Sequence, residues 1–228
     1  MLSFSNCLTY LSALHSIHLQ SNYKRDVFKD PQIQLIIKGG KCVYREGEKQ
    51  IRLPLMADIL QNIIQYIQND RDGINLKVVL CMAFARFLQS GEFTWDTWEP
   101  LSSWKSQVAR KHISFNTNGS VTLTLPTSKT DQYRKGTNIH LSPSNTPLCP
   151  VKALSVLFQH HPCPPMDPLF SRLYGPFNKP YFVNKMRELL LHAGISSAHI
   201  SGHLIRKGAA VSAAANGISR EDIKLLEK

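Results

Sequence analysis

Apolar residues recur every three or four positions along most of the chain, the spacing of one face of an α-helix. Residues 74–92 are apolar nearly all round, so we expect them to form the buried central helix, with Gly91 ending it. The one-sided pattern predicts further helices within the stretches 5–20, 29–40, 53–70, 150–161, 179–194, 201–217 and 219–228.

Between residues 108 and 142 the apolar period changes from 3.6 to 2, which predicts β-strands. Val121, Leu123 and Leu125 alternate with polar residues, and the preceding "NTNGS" is a strong hairpin signal. A third strand, "NIHLS", follows the basic segment "SKTDQYRKGT". The pattern predicts a mainly helical α+β protein with a three-stranded antiparallel sheet whose second turn is basic.

Proline, glycine and small polar residues predict helix ends. Asp30 with Pro31 begins a short helix that ends at Gly39, and Ser219 caps the last helix, which has acidic residues in its first turn. Gly217 ends the helix before it.

Residues 41–53 are charged and aperiodic, which predicts a linker. Two short helices before it look incomplete as a domain. The predicted division is therefore a partial helical domain at 1–40, a linker at 41–53 and the main domain at 54–228.

The net charge of +11 is unevenly distributed. Residues 1–100 hold 11 Lys and Arg against 10 Asp and Glu, whereas residues 101–228 hold 16 against six. A half this basic indicates a polyanionic partner, and double-stranded DNA is favoured over a membrane because no long amphipathic basic helix is present. No stretch approaches the roughly 20 apolar residues of a bilayer span, so no membrane is expected.

Cysteine usage indicates reduced thiols. The five cysteines are an odd number without framework spacing, and Cys81 lies in an apolar helix. Cys149, His160, His161 and Cys163 are close in sequence, but their spacing fits no common zinc pattern. We therefore expect no metal and no cofactor.

The stretch "SGHLIRKGAAVSAAANG" begins a helix with a cluster of basic groups. His203, Arg206 and Lys207 share its first turn, where the helix dipole favours negative charge. Basic side chains beside the free N–H groups of a helix start suit a bound phosphate.

Taken in order, these segments resemble the catalytic domain of tyrosine recombinases, the phage-integrase family. The buried helix ends in "FLQSGEFTW", a small sheet follows with Lys129 before its basic turn, and "GHLIRKGAA" comes near the end. The phrases "RLPL", "SVTLTLPTSKTD", "CPVKAL", "PLFSR" and "IKLL" are similar to those of transposon-encoded eukaryotic recombinases of the Crypton kind. The resemblance covers residues 50–228, and residues 1–40 resemble the end of the family's helical, SAM-like core-binding domain.

The resemblance implies DNA breaking and rejoining without metal, by attack of a tyrosine on a backbone phosphate. Two arginines and a histidine stabilise the charged transition state in the family. His203 and Arg206 match its His-x-x-Arg motif. Lys129 matches the lysine that protonates the leaving oxygen, with Lys135 the less favoured choice.

The first arginine of the family has no counterpart at its expected position. Relatives have a motif like "GFLRSGE", whereas this chain reads "RFLQSGE", which places Gln89 at the arginine and Glu92 at the matching acid. Arg86 is the alternative source of the charge, because side chains three apart are neighbours on a helix face.

The nucleophilic tyrosine also has no counterpart among these 228 residues. Relatives continue after "DIKLL" with a segment that contains it, whereas this sequence continues with "EK". Tyr133, in the basic turn, is the tyrosine nearest to Lys129 but does not match the family's position. We expect a recombinase- or integrase-like DNA-binding protein, truncated before the nucleophile and inactive as it stands. The alternative is a non-catalytic, sequence-tolerant DNA-binding remnant of a mobile element.

Five further basic side chains are expected to contact DNA: Arg110, Lys111, Arg134, Lys135 and Lys207. The family acts as assemblies on paired DNA sites, so the resemblance implies a homo-oligomer on DNA. Together with the reduced cysteines it implies a nuclear or otherwise intracellular location.

Overall fold

The computed structural model describes residues 4–23, 26–43, 54–95, 108–126, 136–196 and 204–226. Within it the chain divides into two compact units, Met1–Ile51 and Arg52–Lys228. The predicted linker falls mostly on residues 44–53, which lie outside the described residues, so the division at 40 and 53 stays a prediction.

The first unit contains two helices, α1 (Phe4–Gln20) and α2 (Pro31–Val43), separated by a 3-10 turn at Val27–Lys29. Asp30 Oδ1 accepts a hydrogen bond from the Gln32 N–H at 2.9 Å, which confirms the predicted start of α2. The predicted end at Gly39 is wrong, because α2 continues to Val43. A glycine inside a helix costs only about 1 kcal/mol relative to alanine, and nothing at Gly39 forces the chain to turn.

The second unit contains the remaining helices and the sheet. The helices are α3 (Ala57–Ile64), α4 (Arg71–Arg86), α5 (Ser90–Phe93), α6 (Pro150–His160), α7 (Lys179–His192), α8 (Leu204–Ala215) and α9 (Arg220–Leu226). The strands are β1 (Ile113–Phe115), β2 (Val121–Leu125) and β3 (Thr137–Leu141).

Helix α4 is the central helix of this unit, as predicted. Residues 73–76 and 78–83 are buried, and α4 packs against α6 and α8. Its predicted end at Gly91 is wrong. The helix ends at Arg86, because Phe87 adopts a left-handed conformation with φ of 56°. Burial of Phe87 against Ala209 and Ile223 holds it there, and this tertiary contact is not visible in the local sequence.

The three strands form an antiparallel sheet in the order β1-β2-β3, which confirms the prediction. Val121, Leu123 and Leu125 point into the main core. On the other face, Thr122 pairs with His140 at 3.2 Å between Oγ1 and Nδ1, and Thr124 donates to Asn138 Oδ1 at 2.8 Å. The basic turn between β2 and β3, residues 127–135, lies outside the described residues.

Helix α8 ends and helix α9 begins where the sequence indicates. Ser219 Oγ accepts a hydrogen bond from the Asp222 N–H at 3.1 Å, so Ser219 caps α9. Gly217 adopts φ of +81° in the turn before it. Within the described residues, no helix is long and apolar enough to cross a bilayer.

Candidate functional site

The segment that links α4 to α5 is held by a capping hydrogen bond. Gln89 has an extended backbone, and its N–H donates to Glu92 Oε2 at 2.7 Å. A carboxylate in this position satisfies a helix-start donor that would otherwise lack a partner. The bond fixes the "QSGE" motif as a compact turn at the end of α4.

Glu92 connects this turn to α8. Burial raises the pKa of Glu92, whereas the bond from Gln89 and the positive charge of Arg206 lower it. The two segments, far apart in sequence, are also in contact, because Phe87 before the turn packs against Ala209 of α8. Arg206 is half-buried in the first turn of α8, and Lys207 beside it is exposed.

Arg86 does not share a helix face with Gln89, so that expectation is wrong. Helix α4 ends at Arg86, and the left-handed Phe87 turns the chain before Gln89 begins the next element. Side chains three residues apart are neighbours only within one continuous helix, so the spacing does not place Arg86 and Gln89 side by side.

Arg86 instead lines a cavity of about 390 Å³ together with His140, Ser142 and Ser144. This cavity lies beside the end of β3, whereas residues 127–135 join the start of β3 to β2. The two ends of a five-residue strand are about 13 Å apart. Arg86 is therefore beside the end of β3 at Leu141 and remote from its start at Thr137.

Several predicted site residues lie outside the described residues. They are His203, Lys129, Arg134 and Lys135. Their roles stay predictions.

Arg110 and Lys111 are neighbours in sequence with opposite exposure. Lys111 is exposed, as a DNA contact must be, but the side chain of Arg110 is only 3% exposed. Arg110 therefore does not belong to a DNA-binding surface in this structure. Arg71 and His161, both half-buried, interact electrostatically with Arg110, which the sequence did not predict because no local pattern relates the three positions.

All five cysteines, each within the described part of the chain, are free thiols. Among the described residues, no group of three or more His, Cys, Asp and Glu side chains is placed to hold a metal ion.

No protein-family model matches the sequence, and no curated protein matches it. Solved structures are similar in fold. Two structures of the XerH site-specific recombinase, in pre-cleavage and post-cleavage complexes with difH substrates, superpose with TM-scores of 0.52 and 0.54. Each is 14% identical and is matched over 81% of this chain and 48% of its own.

The chain has the tyrosine-recombinase fold. This agrees with the mainly helical architecture and three-stranded antiparallel sheet that the hydrophobic pattern predicted. A Holliday-junction complex of FLP recombinase also matches, with a TM-score of 0.48, 12% identity and coverage of 95% of this chain and 50% of that one. The chain spans about half the length of these tyrosine-recombinase structures.

Proposed function

We propose that residues 54–228 form a tyrosine-recombinase-type domain that binds double-stranded DNA, in a protein of the DNA recombination and integration class. The observation that carries this proposal is the packing of Phe87, in the turn after α4, against Ala209 of α8 within the tyrosine-recombinase fold, with Arg206 in electrostatic range of Glu92. It joins the two motifs that bind the scissile phosphate in the family.

In the proposed site, Arg206 binds the non-bridging oxygens of a DNA phosphate. A guanidinium presents parallel N–H donors that match a phosphate, and its charge is retained at any working pH. Glu92 accepts the hydrogen bond of the Gln89 backbone, and its electrostatic interaction with Arg206 favours the charged carboxylate. By the resemblance, His203 adds a hydrogen bond and Lys129 protonates the leaving oxygen.

Gln89 supports a second candidate, a non-catalytic DNA-binding remnant of a Crypton-like mobile element. An amide donates hydrogen bonds but carries no charge, and loss of one transition-state donor costs about 10²–10³ in rate. Under this candidate the fold and the basic surface persist while catalysis is lost. Among residues 1–228 no tyrosine matches the family's nucleophile, so we propose that these residues alone do not cleave DNA.

The same resemblance leads us to propose a homo-oligomer on DNA and a nuclear or otherwise intracellular location. The uneven charge supports DNA as the partner, since 16 Lys and Arg stand against six Asp and Glu in residues 101–228.

The test of DNA binding is to titrate the protein into fluorescently labelled duplexes of unrelated sequence. Binding is measured by fluorescence anisotropy at several salt concentrations. We expect affinity to fall steeply with salt and to vary little with sequence, because phosphate contacts release counterions. Lys207→Glu should weaken binding at least tenfold. Lys77→Glu is the matched control, since it makes the same change in net charge on α4, and it should have a smaller effect.

Salt-independent binding, or no binding at low salt, would contradict the proposal. Equal losses from the two variants would show that only overall charge matters and that Lys207 is not part of the DNA surface.

A further inference from the structure

Arg86 carries a half-buried charge at the end of α4. Its Nε atom is buried without a hydrogen-bond partner among the described residues. Burial lowers the pKa of Arg86, and no acidic side chain in the described part of the chain offsets this effect. Taking a charge out of water without a partner is costly, so the environment of Arg86 favours an anionic ligand.

The cavity of about 390 Å³ that Arg86 lines has the size and the polar groups of an anion site. Its lining also includes an imidazole and three hydroxyl groups, those of His140, Ser142, Ser144 and Thr146. None of its described lining residues is acidic. The volume lies within the range of about 300–1,000 Å³ that is usual for small-ligand pockets. Its shape and charge therefore suit a small anion.

The contacts of these polar groups leave donors for a ligand. Ser144 Oγ and Thr146 Oγ1 lie 3.1 Å apart, and one hydrogen bond between them uses only one of their two protons. His140 Nδ1 lies 3.2 Å from Thr122 Oγ1, which accepts a hydrogen bond from Asn116 Nδ2 at 3.0 Å. The Thr122 hydroxyl can then donate to Nδ1, which places the His140 proton on Nε2.

Apolar side chains line another part of the cavity. They include Ala57, Phe84 and Leu148. A water molecule occupies about 30 Å³ in the liquid, so the cavity has room for more than the five heavy atoms of inorganic phosphate. An apolar group attached to the anion would fill this volume and remove apolar surface from water.

We propose that this cavity binds a small phosphate monoester, with its phosphate group at Arg86 and its apolar group beside Phe84 and Leu148. A guanidinium presents parallel N–H donors that match phosphate oxygens, and the hydroxyl groups supply further donors. A phosphate has three terminal oxygens and a carboxylate two, so the phosphate makes fuller use of several donors. The inference goes beyond the proposed DNA function and does not depend on it.

The cavity differs from the proposed site for a DNA phosphate. Its described lining includes none of Gln89, Glu92 and Arg206. It adjoins β3 at Leu141, the last residue of that strand. A phosphate of the DNA backbone is the other source of the same chemistry, and the experiment separates the two sources.

The experiment is isothermal titration calorimetry of the full chain with phenyl phosphate, inorganic phosphate and benzoate. Phenyl phosphate should bind saturably and about tenfold or more tightly than the other two ions, because inorganic phosphate lacks the apolar group and benzoate lacks the third oxygen. The melting temperature should rise most with phenyl phosphate, since a ligand bound to the folded state stabilises it.

Arg86→Met should weaken phenyl phosphate binding by about tenfold or more, because it removes the charged donors and keeps a long side chain. Arg187→Met is the matched control. Arg187 is exposed on α7 and does not line the cavity, so loss of the same charge there should leave the affinity unchanged.

A second pair of variants keeps the proposal testable if Arg86→Met does not fold. Ser142 is exposed directly after β3, so substitutions there disturb little packing. Ser142→Asp should abolish phenyl phosphate binding, because a carboxylate in the cavity repels the anion. Ser142→Asn, which is neutral and of the same size as the Asp variant, should retain most of the affinity.

Several results would overturn the proposal. They are no saturable binding of phenyl phosphate, equal affinity for benzoate or inorganic phosphate, and equal losses within either matched pair of variants. Displacement of phenyl phosphate by excess duplex DNA would also overturn it, since it would assign the cavity to the DNA backbone. Failure of DNA binding with phenyl phosphate binding intact would leave this proposal standing and reject only the proposed DNA function.

Discussion

Gln89 contributes to the α4–α5 turn through its backbone N–H, so its side chain can be substituted without loss of the capping hydrogen bond. The Gln89 N–H donates to Glu92, and any residue except proline supplies that donor. An arginine at position 89 therefore fits the α4–α5 turn without loss of the cap. Its guanidinium would add a second cation near Arg206 and Glu92.

We expect Gln89→Arg to restore phosphate chemistry once a nucleophile is present. The assay uses a chimera in which a relative's segment with the catalytic tyrosine follows Leu226, and it measures covalent protein–DNA adducts on a nicked duplex. Cleavage should rise about 10²-fold or more with Gln89→Arg, the scale of a regained transition-state donor. Efficient cleavage with Gln89 in place, lost on Arg86→Ala, would instead assign the first arginine to Arg86.

At the scale of elements, α8 is held against the start of the second unit by a close backbone approach. The Leu55 N–H donates to the Leu204 carbonyl at 3.3 Å. A Cβ atom at Gly208 would overlap the backbone of Leu55, including its carbonyl oxygen. Only glycine permits this approach, which sets the position of α8 and thus of Arg206.

Gly208→Ala should lower the free energy of unfolding of the second unit by about 3 kcal/mol or more, because the clash is with backbone that cannot move aside. Gly91→Ala is the control, since a Cβ there meets nothing within 4 Å. It should leave stability unchanged or raise it by up to about 1 kcal/mol. Chemical denaturation, monitored by circular dichroism, measures the free energy of unfolding of both variants. A mild effect of Gly208→Ala would show that α8 can shift outward.

At the scale of the whole molecule, the hydrophobic core lies in the second unit. Every buried apolar residue among those described falls between Leu55 and Ile223. In the first unit the predicted apolar face of α1 is largely uncovered, with Leu14 54% and Ile17 58% exposed. A unit of this size that buries little apolar surface is marginally stable by itself.

We therefore expect a peptide of residues 1–51 to be partly helical by circular dichroism but to melt without a cooperative transition. Short helices gain most of their stability from burying an apolar face, and no described residue of this unit is fully buried. A chain of residues 52–228 is the control and should melt cooperatively. A sharp calorimetric transition in the peptide would show a core that its described side chains do not form.

Periodicity sufficed to predict the fold class and most elements of this protein. The buried α4, the alternating β2 and the caps of α2 and α9 depend on interactions within a few residues, so each leaves a local pattern. The "QSGE" and "HLIR" motifs were likewise identified from the sequence as candidate site segments.

Only the tertiary structure decided where α4 ends, which basic side chains are buried and which distant segments are in contact. Helix α4 ends at Arg86 rather than Gly91 because Phe87 packs against α8 and α9, and that turn separates Arg86 from Gln89. Arg110 is buried while Lys111 is exposed, because the fold encloses one side of a short turn. The sequence by itself determined which segments are helix and strand and which motifs carry charge. Which charges interact, as those of Glu92 and Arg206 do, followed only from packing between segments distant in sequence.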